Sequence, residues 1–158
     1  FEGFCRVIKD LCKNYPDLTW IFPVHKNPNI ANEVRRLLGS IPNLHLIPPV
    51  DYAVSLKLIS SSKLILTDSG GIQEEAPSFG VPVVVMREHT ERFEGVSAGF
   101  ATLAGTEPSA IFASVCNWLE DPKKLARLKK LPNPYGDGVA SNRIVSVIEG
   151  KLCDEFQS

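Results

Sequence analysis

Cysteine and histidine are scarce in this chain, and neither is spaced to bind a metal. The 158 residues include four cysteines and three histidines. There is no CxxC pair, and no histidine stands at the spacing of zinc ligands. We therefore expect no metal site, no cofactor and reduced thiols. Cys5 and Cys12 lie seven positions apart, so we expect both on one helix face as small core residues.

Long apolar runs and an excess of one charge are also missing. Apolar runs reach only about five residues, far short of the ~20 that a membrane-spanning helix needs. Lysine plus arginine total 17 against 18 acidic residues, for a net charge of −1, and like charges do not cluster. This composition argues against nucleic acid and membranes as partners. The first residues show no secretion signal, so the sequence predicts a cytoplasmic protein, and the missing initiator methionine suggests a fragment.

Hydrophobic periodicity predicts helices and strands that alternate along one domain, residues 1–158, with 44% apolar residues to fill a single core. Helices are predicted over residues 4–12, 30–38 and 52–61, briefly after Gly71, and over residues 108–119, 122–131 and 139–148. Strands are predicted over residues 18–25, 44–47, 63–67, 82–86 and 101–103. Strands rich in Val, Ile and Leu predict an α/β, doubly wound, Rossmann-like parallel sheet covered on both faces. Since such folds usually open with a strand, we expect an upstream strand to be missing.

The strongest candidate site follows the predicted strand 63–67. In parallel sheets, ligands bind beyond the carboxyl ends of the strands, and this strand leads into Ser69, Gly70 and Gly71, with a helix expected from about Ile72. Glycines let a ligand approach the backbone, and the amides of a helix N-terminus attract anions, so a phosphate is the expected ligand. In the alternative interpretation, Ser69 only caps the helix and the glycines only form a tight turn. Neither GxGxxG nor a P-loop is present.

Charged residues near this loop suggest how the rest of a nucleotide could be bound. Glu74 and Glu75 point about 100° apart on a helix, and Glu75 is better placed to accept hydrogen bonds from a ribose diol. They could also be two solvated acids. Arg92, in the cluster at residues 86–95, could neutralise a diphosphate without a metal, or take part in surface ion pairs. Pro77 should shorten or kink the helix.

Together these motifs resemble a known family. The segment LILTDSGGIQEEAPSFGVPVVVMREHTER at residues 64–92 closely resembles the signature of the non-hydrolysing UDP-N-acetylglucosamine 2-epimerases, and PVHKNPN at 23–29 and NPYGDGVASNRI at 133–144 match as well. The resemblance covers essentially the whole chain. The matching part of the family's two-domain, GT-B-like enzyme is its C-terminal, nucleotide-binding half, which this chain resembles. Phe93 and Gly95 depart from the family's usual Pro and Ala.

The resemblance implies a role for each matched residue. Ser69, Gly70 and Gly71 would hold the diphosphate of UDP, Glu75 the ribose hydroxyls, and Arg92 the phosphates again. Uracil would lie near residues 48–55. The family inverts C2 of UDP-GlcNAc to give UDP-ManNAc: the C2 proton and UDP are lost to give an unsaturated glycal, and both are added back with the proton on the other face of C2.

The resemblance also implies what this chain lacks. The family's acids and bases lie mainly in the N-terminal domain and in a histidine motif just upstream, so we expect no catalytic residue here. The implied partners are the UDP-sugar, the absent N-terminal domain and a second copy in a homodimer. The donor domain of a GT-B glycosyltransferase, or a non-catalytic nucleotide-binding module, are the alternatives. His25 is expected to bond to neighbouring backbone rather than to act in catalysis, and residues 132–138 to form a tight connector.

Overall fold

A computed structural model describes residues 2–156, which form an α/β domain. The helices are α1 (Glu2–Asn14), α2 (Pro28–Leu38), α3 (Tyr52–Ser61), α4 (Gly70–Glu75), α5 (Phe93–Ser97), α6 (Pro108–Leu119), α7 (Pro122–Leu128) and α8 (Ala140–Ile148), with a 3-10 turn at Ala76–Phe79. The strands are β1 (Trp20–Pro23), β2 (Leu44–Ile47), β3 (Ile65–Thr67), β4 (Val83–Val85) and β5 (Ala101–Leu103). Within the described residues, each helix is too short or too polar to traverse a bilayer.

All the strand pairs are parallel, which confirms the predicted fold class. β1 pairs with β2, and β4 lies between β3 and β5. The described residues form two hydrogen-bonded ladders rather than one continuous sheet. The ladders share a core, because Trp20 of β1 and Leu66 of β3 each pack against the same two clusters of buried side chains.

α1 contributes to both of these clusters. Val7 and Leu11 pack in the first, with Trp118 of α6, while Cys5 and Cys12 pack in the second. The prediction that the two cysteines are core residues is therefore confirmed. All four cysteines are free thiols, and burial raises the pKa of the Cys12 thiol to about 11.

The first strand differs from its prediction. The sequence predicted a buried strand over residues 18–25, but β1 covers only Trp20–Pro23 and alternates between half-buried and exposed side chains. Ile21 is 46% exposed, because the described residues cover only one face of β1. β4, in contrast, is fully buried along its length, as expected of a strand with both faces covered.

α5 has no counterpart in the predicted elements. Parallel neighbours such as β4 and β5 need a crossover connection, and α5 provides it, beginning inside the segment 86–95 that was predicted only as a charged cluster. Its N-cap residue is Arg92. α7 ends at Leu128, three residues before its predicted end, and α8 begins at Ala140, one residue after its predicted start.

Candidate functional site

The loop after β3 places Ser69 at the N-cap of α4. Thr67, the last residue of β3, is buried, and its Oγ1 accepts a hydrogen bond from the Ser69 amide at 3.1 Å. Ser69 is extended, with φ −82° and ψ 130°, but its side chain caps no amide of α4. The structure therefore does not support the interpretation that Ser69 only caps the helix. Its hydroxyl is available to a ligand.

The two glycines leave the start of α4 open, and neither adopts an unusual backbone conformation. α4 begins at Gly70, two residues before its predicted start, and neither Gly70 nor Gly71 has a positive φ. A Cβ atom on Gly71 would meet only the Ser69 Oγ, at 4.0 Å. The backbone is thus open on this side. The first amides of a helix also have no acceptor within it.

Arg92 lies against Gly70. A Cβ atom on Gly70 would be 3.4 Å from both Cζ and Nε of Arg92. The Arg92 Nε donates to Glu74 Oε1 at 2.7 Å, and Nη1 donates to Glu91 Oε2 at 2.8 Å. The hydrogen bond that Arg92 donates to Glu74 raises the pKa of Arg92 above its ordinary value. The surface ion pairs considered above therefore exist, yet they hold the guanidinium beside the glycines. Its role in binding stays a prediction.

The neighbouring acids have different environments, as the helix geometry predicts. Glu74 pairs with Arg92. Glu75 is half-buried, and its side chain forms no ion pair or hydrogen bond with the rest of residues 2–156. The contact of Glu75 with a ribose stays a prediction. α4 ends at Glu75 and continues as the 3-10 turn that contains Pro77, which confirms the predicted effect of the proline.

Sequence reasoning missed a buried polar relay that connects the two parts of the site. Gln73 and Thr90 are only 1% and 5% exposed. Gln73 Nε2 donates to the Ser69 carbonyl at 3.2 Å, and Thr90 Oγ1 donates to Gln73 Oε1 at 2.8 Å. Thr90 Oγ1 also accepts from the Arg92 amide at 3.1 Å. One signal was available: Gln73 lies three residues before the apolar Ala76, a spacing that places two residues on one side of a helix.

The connector at residues 132–138 also reaches the site. Asn133 Nδ2 donates to the Glu74 carbonyl at 3.2 Å and to Ser78 Oγ at 2.7 Å. The turn chemistry of this segment was predicted from its sequence, but these long-range contacts were not. His25 bonds to neighbouring backbone, as expected, because its Nδ1 accepts a hydrogen bond from the Asn27 amide at 3.1 Å; its lack of a catalytic role stays a prediction.

A groove of about 300 Å³ lies beyond the carboxyl ends of β1 and β2. His25 and Lys26 line one side, and Pro48 and Pro49, from the segment expected near uracil, line the other. No group of three His, Cys, Asp or Glu residues within residues 2–156 could hold a metal ion. The donors that the site does offer, a hydroxyl, backbone amides and a guanidinium, are suited to phosphate oxygens.

Comparison with known proteins identifies the family. Residues 1–149 match the family described as UDP-N-acetylglucosamine 2-epimerase. The chain belongs to this epimerase family. The Escherichia coli UDP-N-acetylglucosamine 2-epimerase is 44% identical over 149 residues, which are 94% of this chain and 40% of that protein. The family resemblance seen in the motifs is thus confirmed, and this epimerase-family chain spans about 40% of the length of its curated relatives.

Solved structures of the epimerase family have the same fold. The Neisseria meningitidis UDP-GlcNAc 2-epimerase bound to UDP-GlcNAc is 42% identical, with a TM-score of 0.86 over 94% of this chain and 40% of that one. S. aureus MnaA, in a co-structure with UDP, is 40% identical, with a TM-score of 0.87 and the same coverage of both chains. The expected likeness to one half of a GT-B-like epimerase is therefore confirmed.

Proposed function

We propose that this chain is the UDP-binding half of a UDP-N-acetylglucosamine 2-epimerase, which interconverts UDP-GlcNAc and UDP-ManNAc. One observation carries the proposal: the Arg92 guanidinium lies against Gly70, beside the open backbone of Gly71 and the uncapped hydroxyl of Ser69. These donors lie close together at the carboxyl end of β3. Family membership and a relative bound to UDP-GlcNAc support UDP as the ligand.

In this mechanism the chain stabilises the leaving group. The sugar loses its C2 proton, and the bond from C1 to the UDP oxygen breaks, so that its electron pair leaves with the diphosphate. Ser69, the amides of Gly70 and Gly71, and Arg92 would face the negative charge that develops there. Donors that are already oriented toward such charge lower the barrier because they need not reorganise. UDP then adds back after C2 is reprotonated on the opposite face.

The ribose and the base of the nucleotide would contact two different parts of the chain. Glu75 would accept hydrogen bonds from the ribose diol, because Glu74 is already paired with Arg92. The base would lie near residues 48–55, where Pro48 and Pro49 line the groove beyond β2. The acid and base groups that transfer the C2 proton would lie in the part of the relatives that this chain does not span.

The complete protein would contain a second domain and a second subunit. The missing 60% of the relatives' length would contribute the opposing domain, and the complete enzyme would be a homodimer. Neither a metal nor a cofactor is required, since Arg92 supplies the positive charge. The free thiols support a reducing compartment, and we place the protein in the cytoplasm.

Calorimetric titration of the chain with UDP tests the proposal. We expect binding, and we expect Arg92→Ala to weaken it about tenfold to a hundredfold, because one or two charge-assisted hydrogen bonds are lost. Arg127→Ala on α7 is the matched control, since it removes the same charge from an exposed position outside the site. If UDP at millimolar concentration releases no heat and shifts no NMR signal, the proposal is wrong.

Activity requires the longer protein that contains the remaining domain. Proton NMR of that protein with UDP-GlcNAc should show UDP-ManNAc forming, with exchange of the C2 proton for solvent deuterium. Transfer of the sugar to an acceptor without epimerisation would instead indicate a glycosyltransferase. Unchanged turnover in the Arg92→Ala variant of this protein would indicate that the domain is only a scaffold.

A further inference from the structure

The hydroxyl of Tyr135 bridges two backbone groups at the start of α5. Tyr135 Oη donates to the carbonyl of Arg92 at 3.0 Å and accepts from the amide of Gly95 at 3.0 Å. Tyr135 follows these residues by 43 and 40 positions. Burial raises its pKa, so the hydroxyl stays protonated at neutral pH and can donate and accept at the same time.

This contact replaces a missing helix cap. Arg92 occupies the N-cap of α5, where Ser, Thr, Asp or Asn normally accepts a hydrogen bond from the amide of the second or third helical residue. Arginine has no acceptor in its side chain, and Arg92 makes no such cap. Gly95 is the third residue of α5, and its amide is satisfied by Tyr135 instead. Tyr135 thus lets an arginine stand where a capping residue is usually required.

The loop that carries Tyr135 is fixed to the other side of the site. Asn133 Oδ1 accepts from the Tyr135 amide at 2.9 Å, and Asn133 Nδ2 donates to the carbonyl of Glu74 at 3.2 Å. Glu74 is the residue whose carboxylate holds Arg92 Nε. The loop therefore contacts the backbone of both members of the Glu74–Arg92 ion pair.

We propose that Tyr135 is a positioning residue for diphosphate binding, because it fixes the backbone at Arg92 and so directs the guanidinium toward the phosphates. This inference rests on the proposed function. Tyr135 acts only through Arg92, so removing its hydroxyl should affect the phosphates of the ligand and not its nucleoside. Removing the hydroxyl of a residue that only stabilised the fold would weaken the binding of UDP and of uridine alike.

Tyr135→Phe tests the proposal, with Tyr15→Phe as the matched control. Tyr15 Oη donates to Glu120 Oε1 at 3.1 Å, and Tyr15 lies in the segment that precedes the amino end of β1, away from the site. Affinities for UDP and uridine are measured by NMR titration. We expect Tyr135→Phe to weaken UDP binding about threefold to tenfold, the effect of one lost hydrogen bond, and to leave the affinity for uridine unchanged. Tyr15→Phe should change neither affinity.

A double-mutant cycle locates the effect. In an Arg92→Ala background, Tyr135→Phe should cause no further loss of UDP affinity, because the group it positions is absent. Wild-type affinity in the single variant, equal losses for UDP and uridine, or a loss that persists without Arg92 would each overturn the proposal.

A measurement without ligand separates this inference from the proposed function. Hydrogen exchange of the Arg92 Nε proton, followed by NMR, should be about threefold to tenfold faster in Tyr135→Phe than in the wild type. If UDP fails to bind the wild type while this exchange accelerates, the proposed function is wrong but the positioning by Tyr135 stands. Unchanged exchange would show that Tyr135 does not position Arg92.

Discussion

Arg92 is held at four points before any ligand arrives. Glu74 and Glu91 accept from its guanidinium, Thr90 accepts from its amide, and Tyr135 donates to its carbonyl. The side chain is nevertheless 34% exposed, so unused donors can meet phosphate oxygens. A group held in this way loses little freedom on binding, which favours affinity.

The hydrogen bond from Thr90 to Gln73 can be tested by substitution. Thr90→Val keeps the shape of the side chain but leaves the buried Gln73 Oε1 without its donor. We expect a loss of about 1–3 kcal/mol in the free energy of unfolding, measured with urea. Thr90→Ser, which keeps the hydroxyl and loses a methyl, should cost about 1 kcal/mol or less. The relay would be unimportant if the valine variant were as stable as the serine variant.

Single residues also show what could be read from the sequence. Ser69, Gly70, Gly71 and Arg92 were selected because phosphate chemistry needs hydroxyl, amide and guanidinium donors beyond a strand. Thr90 was not selected, because a threonine has no local feature that distinguishes a buried hydrogen-bond partner from a solvated side chain. Its role depends on packing between α4 and the segment before α5.

At the scale of elements, the site is assembled where α4, α5 and the loop at 132–138 meet. α4 and α5 have six and five residues, too few to be stable alone. Tertiary contacts must therefore hold them, and the loop supplies several of these. This explains why α5 was not predicted: five residues show little helical periodicity, and only the need for a crossover between parallel strands indicates a helix there.

The same loop is joined to α8 by an ion pair, which gives a pH-dependent prediction. Arg143 donates to both carboxylate oxygens of Asp137, at 2.8 and 2.6 Å, and these bonds lower the pKa of Asp137. A carboxyl whose pKa is lower in the folded state stabilises the fold above its unfolded pKa, and this contribution disappears as the pH falls.

We therefore expect Asp137→Asn to lower the Tm at neutral pH. The wild-type advantage should shrink as the pH falls below about 4, the unfolded pKa of an aspartate. Thermal unfolding followed by circular dichroism, from neutral pH through the acid range, measures the Tm difference and its change with pH. Asp10→Asn, on the exposed side of α1, is the matched control. An advantage that persists undiminished near pH 2 would show that another group is responsible.

At the scale of the whole molecule, apolar residues are distributed unevenly. Leu11 and Val115 are fully buried, while Ile144, Val147 and Ile148 of α8 are 60%, 64% and 79% exposed. The apolar residues of α8 therefore contribute little to the stability of the described domain.

A pair of truncations tests this distribution. Leu11→Ala should cost about 2–5 kcal/mol of unfolding free energy, because it removes buried methyl groups and leaves a cavity. Ile148→Ala should change it by no more than about 0.5 kcal/mol, as expected at a surface position. Urea denaturation measures both. Comparable losses in the two variants would mean that α8 is buried in solution.

The sequence by itself determined the fold class, the order of most elements and the chemistry of the site. Hydrophobic periodicity is local, and the glycine loop and arginine cluster are each contiguous in the chain. The tertiary structure alone decided that β1 is covered on one face, that Gln73 and Thr90 connect the two parts of the site, and that Tyr135 caps α5. These features join residues up to 43 positions apart. Side chains so distant become partners only when helices and strands pack, which no local pattern specifies.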